Sequence, residues 1–136
     1  LRTMNAPAAS ILVIDDEPSL CRLLVRCMRG RTEVQAVEGG APAIELLGRD
    51  RNYDVILCPA NAGPAPRIQS ARDGSMSYTA IYNISGWPAL VLRGGTSPEK
   101  LPLGLQVVGH PLREDVAFAV ALHLERAFGP FPHPVL

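Results

Sequence analysis

Lysine is almost missing from this sequence: Lys100 is the only one in 136 residues. A lysine base for nucleophilic catalysis therefore has a single candidate, and it lies among turn formers in TSPEKLP. An excess of either charge is missing too. Thirteen basic and thirteen acidic residues give a formal net charge of zero. That balance excludes the basic footprint of a nucleic-acid binder and the polybasic run of a membrane-surface protein. It also weakens the colloidal repulsion between copies, so self-association is the expected partnership. Cysteine is scarce, with only Cys21, Cys27 and Cys58 and no Cys-x-x-Cys. This excludes a disulfide framework and a thiolate zinc site, and reads as small buried apolar residues in a reducing cytoplasm. His110, His123 and His133 are not at metal-ligand spacing. No apolar run reaches the ~18 residues of a membrane span. The opening LRTMNAPAAS has no charged and apolar regions of a signal peptide, and Met4 is a candidate start.

What is present reads as an alternation of strands and helices. SILVI (10–14) is a short β-branched run suited to a buried parallel strand. Pro18 follows the acidic DDE and suits the first turn of a helix, where its missing N–H costs nothing. Leu20, Leu23, Leu24, Cys27 and Met28 recur at helical spacing, and Gly30 closes that helix. A weak strand over 33–37, a short helix through Leu47 and a strand over 54–58 complete β-α-β-α-β, which implies parallel strands and right-handed crossovers. Residues 59–75 are loop-like, long enough to mark a functional segment or a junction. A short helix (77–85), strands at 89–93 and 103–108, and a long helix (115–128) follow. The helix carries Val116, Val120, Leu124 and Phe128 on one stripe, with Phe118 and Leu122 as a second apolar flank. RGGTS (93–97) reads as a hairpin turn rather than an anion-binding nest, and Trp87 as a core or interface anchor.

Two resemblances meet at the third strand. ILVIDDEPSLCRLL and YDVILC resemble the receiver domain of response regulators over about residues 10–58. The resemblance implies a Mg²⁺ site at the acidic pair, which Asp15 and Asp16 match, and a phosphate-accepting aspartate at position 59. Position 59 is Pro59, which has no nucleophilic oxygen. Asp15 and Asp16 are read first as solvated acidic residues at a helix N-terminus, and second as a residual weak divalent-cation site. The chain is similar to the C-terminal end of amidase-signature hydrolases over about residues 53–128. Asn83, Gly86, Pro88, Ala89, Leu101, Pro102, Gly104, Gln106 and Gly109 carry that likeness. The family's serine nucleophile, bridging serine and lysine base lie upstream of this segment. Ser10, Ser19, Ser70, Ser75, Ser77, Ser85 and Ser97 form no Gly/Ser-rich cluster that would supply them.

The expectation is a single chimeric α/β domain over 1–136, receiver-like over 10–58 and amidase-like over 59–136. Its fold is a three-layer flavodoxin-like sandwich with five strands ordered 2-1-3-4-5, the last one antiparallel. Its function is that of a non-catalytic degenerate receiver acting through binding or self-association. The alternatives are a recombined or engineered domain with no evolved function, and an amidase-related hydrolase fragment. No catalytic residue and no cofactor is assigned, beyond weak Mg²⁺ at Asp15 and Asp16. The partner is a second copy of the chain, with neither nucleic acid nor membrane, and the setting is cytoplasmic.

Overall fold

The computed structural model describes residues 9–30, 32–50, 52–67 and 77–130. Ser70, Ser75, His133 and most of the 59–75 loop's second half lie outside them. Five strands and four helices follow one another: β1 (Ser10–Asp15), α1 (Pro18–Met28), β2 (Glu33–Glu38), α2 (Gly40–Arg49), β3 (Val55–Pro59), α3 (Ser77–Ser85), β4 (Ala89–Thr96), β5 (Pro102–Gly109) and α4 (Glu114–Phe128). Local chemistry explains the boundaries. Glu17 caps α1 by accepting the Ser19 N–H at 3.1 Å, and Pro18 occupies the first turn. Gly30, at φ +83°, turns the chain after α1 into a conformation that a side chain would resist.

The sheet order is β2-β1-β3-β5-β4. β2, β1 and β3 are mutually parallel, and β5 runs antiparallel to both β3 and β4. The strand directions match the expectation, but the order 2-1-3-4-5 is corrected, and with it the flavodoxin-like assignment. β5 takes the inner position and β4 the edge. The reason is burial. Leu105, Gln106, Val107 and Val108 are all at most 2% exposed, which only an inner strand permits. β4 carries Arg93, Gly94 and Gly95 and a register shift between Arg93 and Gly95, features suited to an edge.

RGGTS is likewise not the turn. Arg93–Thr96 ends β4, and the hairpin is closed by the next residues, with Ser97 N–H on Leu101 O at 2.8 Å and Lys100 at φ +66°. Gly94 is required at the bulge, since a Cβ there would stand 2.7 Å from Leu105 Cβ. Pro59 ends β3 opposite Leu105, and the next N–H, Ala60, closes onto Gly104 O at 3.0 Å. Proline cannot donate to a ladder, so a strand end is where it belongs.

Helices cover both faces. α1 and α4 share one face, over a core of Ile11, Val13, Leu24, Met28, Val55, Leu57, Leu105, Val107, Ala117, Val120 and Leu124. α2 lies against β1 and β2, and α3 reaches Gln106 from the opposite face. The long helix buries Ala117, Val120 and Leu124, while Phe118 and Leu122 stay about half exposed.

Candidate functional site

The face under α2 and α3 holds an open groove of about 480 Å³. Ile56 and Val108 line it from β3 and β5, Ile44 and Leu47 from α2, and Trp87 and His110 from the segments flanking β4 and β5. Strand alternation explains this. Residues 55, 57, 105 and 107 point into the α1/α4 core, so 56 and 108 must point the other way. The groove end is pinned by backbone contacts. His110 Nε2–H donates to Tyr53 O at 2.7 Å, which leaves Nδ1 as the free ring nitrogen of the neutral form. The imidazole lies against Trp87, with ring centroids 5.6 Å apart and planes tilted by 36°. Tyr53 OH donates to Gln35 Oε1 at 2.6 Å. Asp54, also on the groove, has its Oδ2 taken by the Ser10 N–H at 2.8 Å.

Further along the same face, Gln106 is 2% exposed and fully engaged at its amide nitrogen. Its Nε2–H reaches Tyr78 O at 3.0 Å and Cys58 Sγ at 3.5 Å. Tyr82 also hydrogen-bonds the Cys58 sulfur. Burial pushes the Tyr82 phenol up to about 12, with the Cys58 sulfur adding to the effect. Burial pushes the Cys58 thiol up as well, against the pull of the Gln106 and Tyr82 hydrogen bonds. Both groups therefore stay protonated at neutral pH, and Cys58 acts as an acceptor rather than a nucleophile. The cluster fastens α3 to the sheet. Composition gave no sign of it, although Gln106 within the apolar run LGLQVV was the available signal, because a buried amide demands partners.

Asp15 and Asp16 sit at the junction of β1 and α1. Asp15 closes β1, is buried, and its Oδ1 accepts the Glu17 N–H at 2.8 Å. Burial raises its pKa, opposed by that hydrogen bond and helped by the Asp16 and Glu17 carboxylates. Asp16 is exposed. Among the described residues no three His, Cys, Asp or Glu side chains are grouped to hold a metal ion.

Three of the described serines have local partners for their hydroxyls. Ser19 Oγ goes to Glu17, Ser85 Oγ to Tyr82 O, and Ser97 Oγ accepts the Leu101 N–H. His123 Nε2 meets Cys27 O at 3.0 Å, so both described histidines are bound to carbonyls. Lys100 is exposed in the β4–β5 turn. No described helix is long and apolar enough to cross a membrane.

Known proteins share this architecture. The fold resembles 6-aminohexanoate cyclic dimer hydrolase, with a TM-score of 0.67 at 16% identity, over 92% of this chain and 46% of that one. It also resembles a glutamyl-tRNA(Gln) amidotransferase chain of Thermotoga maritima, with a TM-score of 0.63 at 16% identity, over 88% of this chain and 42% of that one. In sequence the chain is similar to fatty-acid amide hydrolase 2-A of Danio rerio, 45% identical over 92 residues, covering 66% of this chain and 17% of the relative. It is 34% identical over 91 residues to a glutamyl-tRNA(Gln) amidotransferase chain of Azorhizobium caulinodans, covering 60% and 18%. The chain thus spans less than a fifth of the length of these curated relatives.

These findings correct the chimera. The Amidase family matches residues 42–117, so the match begins inside α2, well before the expected junction at 58. The likeness of fold extends across 92% of the chain, through the stretch read as a receiver. The receiver reading rested on a strand, an acidic pair and a proline-started helix. Any parallel βα unit accommodates these, because acidic residues and proline suit helix N-termini in general. The degenerate-receiver function and the link to two-component signalling fall with it. One continuous match across α2, β3, α3, β4, β5 and the start of α4 makes this chain a member of the amidase family.

Proposed function

We propose that this chain is a structural segment of an amidase-signature amide hydrolase, whose nucleophile and base are supplied by residues outside it. The carrying observation is the family match over 42–117, together with a sheet face whose groove is apolar and unfinished. The relatives support amide chemistry, since they include a fatty-acid amide hydrolase and a glutamyl-tRNA(Gln) amidotransferase. The segment's contribution is architectural. Gln106 and Tyr82 hold α3 against the sheet, and the Trp87–His110 pair sets the groove wall. Exposed Ile44, Ile81 and Ile84 beside this face suit contact with a larger body. Free cysteines throughout suit a cytoplasmic setting. Taken alone the chain is not an enzyme, because activation of a serine needs a base in hydrogen-bond reach.

Two measurements test this. The isolated chain should leave an aryl amide at its buffer hydrolysis rate and take no label from a fluorophosphonate probe. Turnover that disappears on replacing one of its serines would overturn the architectural reading. A hybrid amidase carrying residues 42–117 in place of its own matching segment should keep amide hydrolysis. A folded hybrid without activity would count against the segment's role.

A further inference from the structure

A second groove, of about 570 Å³, runs between α1 and the outer strand β2, outside the matched family segment. Arg22, Arg26 and Arg29 line it, with Ala36 and Glu38 from β2. The three arginines are exposed; Arg22 and Arg26 stand four apart on α1, and Arg29 follows as the residue that caps its C-terminus. Glu38 is the one carboxylate in the lining, against three guanidinium groups.

β2 ends the described sheet, with β1 as its one neighbour. Glu33 N–H bonds Ala9 O at 3.1 Å, and Gly39 N–H bonds Asp15 O at 3.2 Å. In a parallel ladder each residue directs its N–H and C=O to the same side, and the next residue directs both to the opposite side. Glu33 and Gly39 face inward, so Val34, Ala36 and Glu38 turn their backbone groups outward. The side chains of Val34 and Ala36 lie on the α1 face. An extended segment laid along this edge would place alternate side chains ~7 Å apart over the α1 groove. Arg22 and Arg26 are ~6 Å apart along the helix axis, so the two repeats are close to commensurate.

We propose that the β2 edge, with Arg22, Arg26 and Arg29, is a docking site for an acidic extended peptide segment. The segment adds a sixth strand by backbone pairing, and its carboxylates at alternate positions meet the arginine row. A second copy of this chain does not suit the site. Antiparallel pairing of two such edges through their outward residues is centred on Ala36, which puts both α1 helices on one face of the joined sheet and two arginine rows side by side.

The test is fluorescence anisotropy at low salt, with the whole chain and a labelled alternating Glu-Thr peptide of about ten residues. The Glu-Thr peptide should bind about tenfold or more tighter than its Gln-Thr counterpart. The combined Arg22→Gln, Arg26→Gln and Arg29→Gln variant should lose a similar factor while keeping its circular dichroism and urea midpoint. Of two peptides N-methylated at odd or even positions, one should lose binding, because its edge donors are gone. The proposal is overturned if the parent chain does not bind the Glu-Thr peptide, or if the arginine variant binds equally well. It is overturned too if neither methylated peptide weakens, or if an oligothymidine of equal charge binds as tightly. The two peptide comparisons still decide should the triple variant fail to fold.

Discussion

The two faces of this sheet come from alternate residues of the same strands, yet one is closed and the other is open. On the α1/α4 face, Ile11, Val13, Leu24, Leu57, Val107 and Leu124 have no exposed surface at all. On the α2/α3 face, Leu12 and Val108 are buried, but Ile44 is 75% and Ile84 is 86% exposed beside a groove. The first face is finished by elements of this chain, and the second is fastened at one end by polar contacts around Gln106. A segment that spans less than a fifth of its relatives is expected to look like this. Its own core supplies the stability, and the open face belongs to the larger amidase we propose.

Four substitutions put that contrast at risk. Leu57→Ala, in the closed core, should cost about 2–5 kcal/mol in urea unfolding. A loss under ~1 kcal/mol would show that the core is loosely packed. Gln106→Met removes the donor to Tyr78 O and Cys58 Sγ without leaving a hole. It should cost about 0.5–1.5 kcal/mol, the net worth of a hydrogen bond, because α3 loses the part-buried contact that ties it to the sheet. A neutral result would mean that α3 is not held by this contact.

Asp15→Asn tests the carboxyl buried at the closed face's rim. With the folded-state pKa raised above 3.8, the folded chain binds the extra proton between the two values, so stability falls as pH rises through that window. The Asn variant should therefore have the higher urea midpoint at pH 7, with the gap closing below the usual carboxylate range. A gap of constant size at all pH values would assign the effect to the Glu17 N–H contact instead. Ile84→Ser, on the open face, should change stability by no more than about 0.5 kcal/mol in the isolated chain. A large loss there would place Ile84 in a contact that its exposure does not reveal.

Much of the architecture was legible. Pro18, the period of Leu20, Leu24 and Met28, and Gly30 delimit α1, and the apolar runs mark all five strands to within a few residues. The order of β4 and β5 was not, since a hairpin is satisfied by either order. The uninterrupted apolar run in β5 against Arg93-Gly-Gly in β4 is the signal that separates them, and it reports burial rather than connection. The acidic pair misled for the opposite reason. Asp15 is a buried strand-end residue rather than a solvated one, Asp16 is exposed, and a motif so short fits many βα units. The amidase pattern, spread from Asn83 to Gly109, could not arise so cheaply.

By itself, then, the sequence determined where elements begin and end, the alternation that sorts each strand's residues onto two faces, and the family of the segment from Pro42 to Ala117. These follow from backbone preferences and periodicity, which act over a few residues at a time. Only the tertiary structure decided which face is closed, that β5 lies inside β4, that Gln106 meets Cys58 across 48 residues, and that Arg22, Arg26 and Arg29 flank an outer strand. Those outcomes depend on which buried surfaces and polar groups can be satisfied together, a condition no local window of sequence contains.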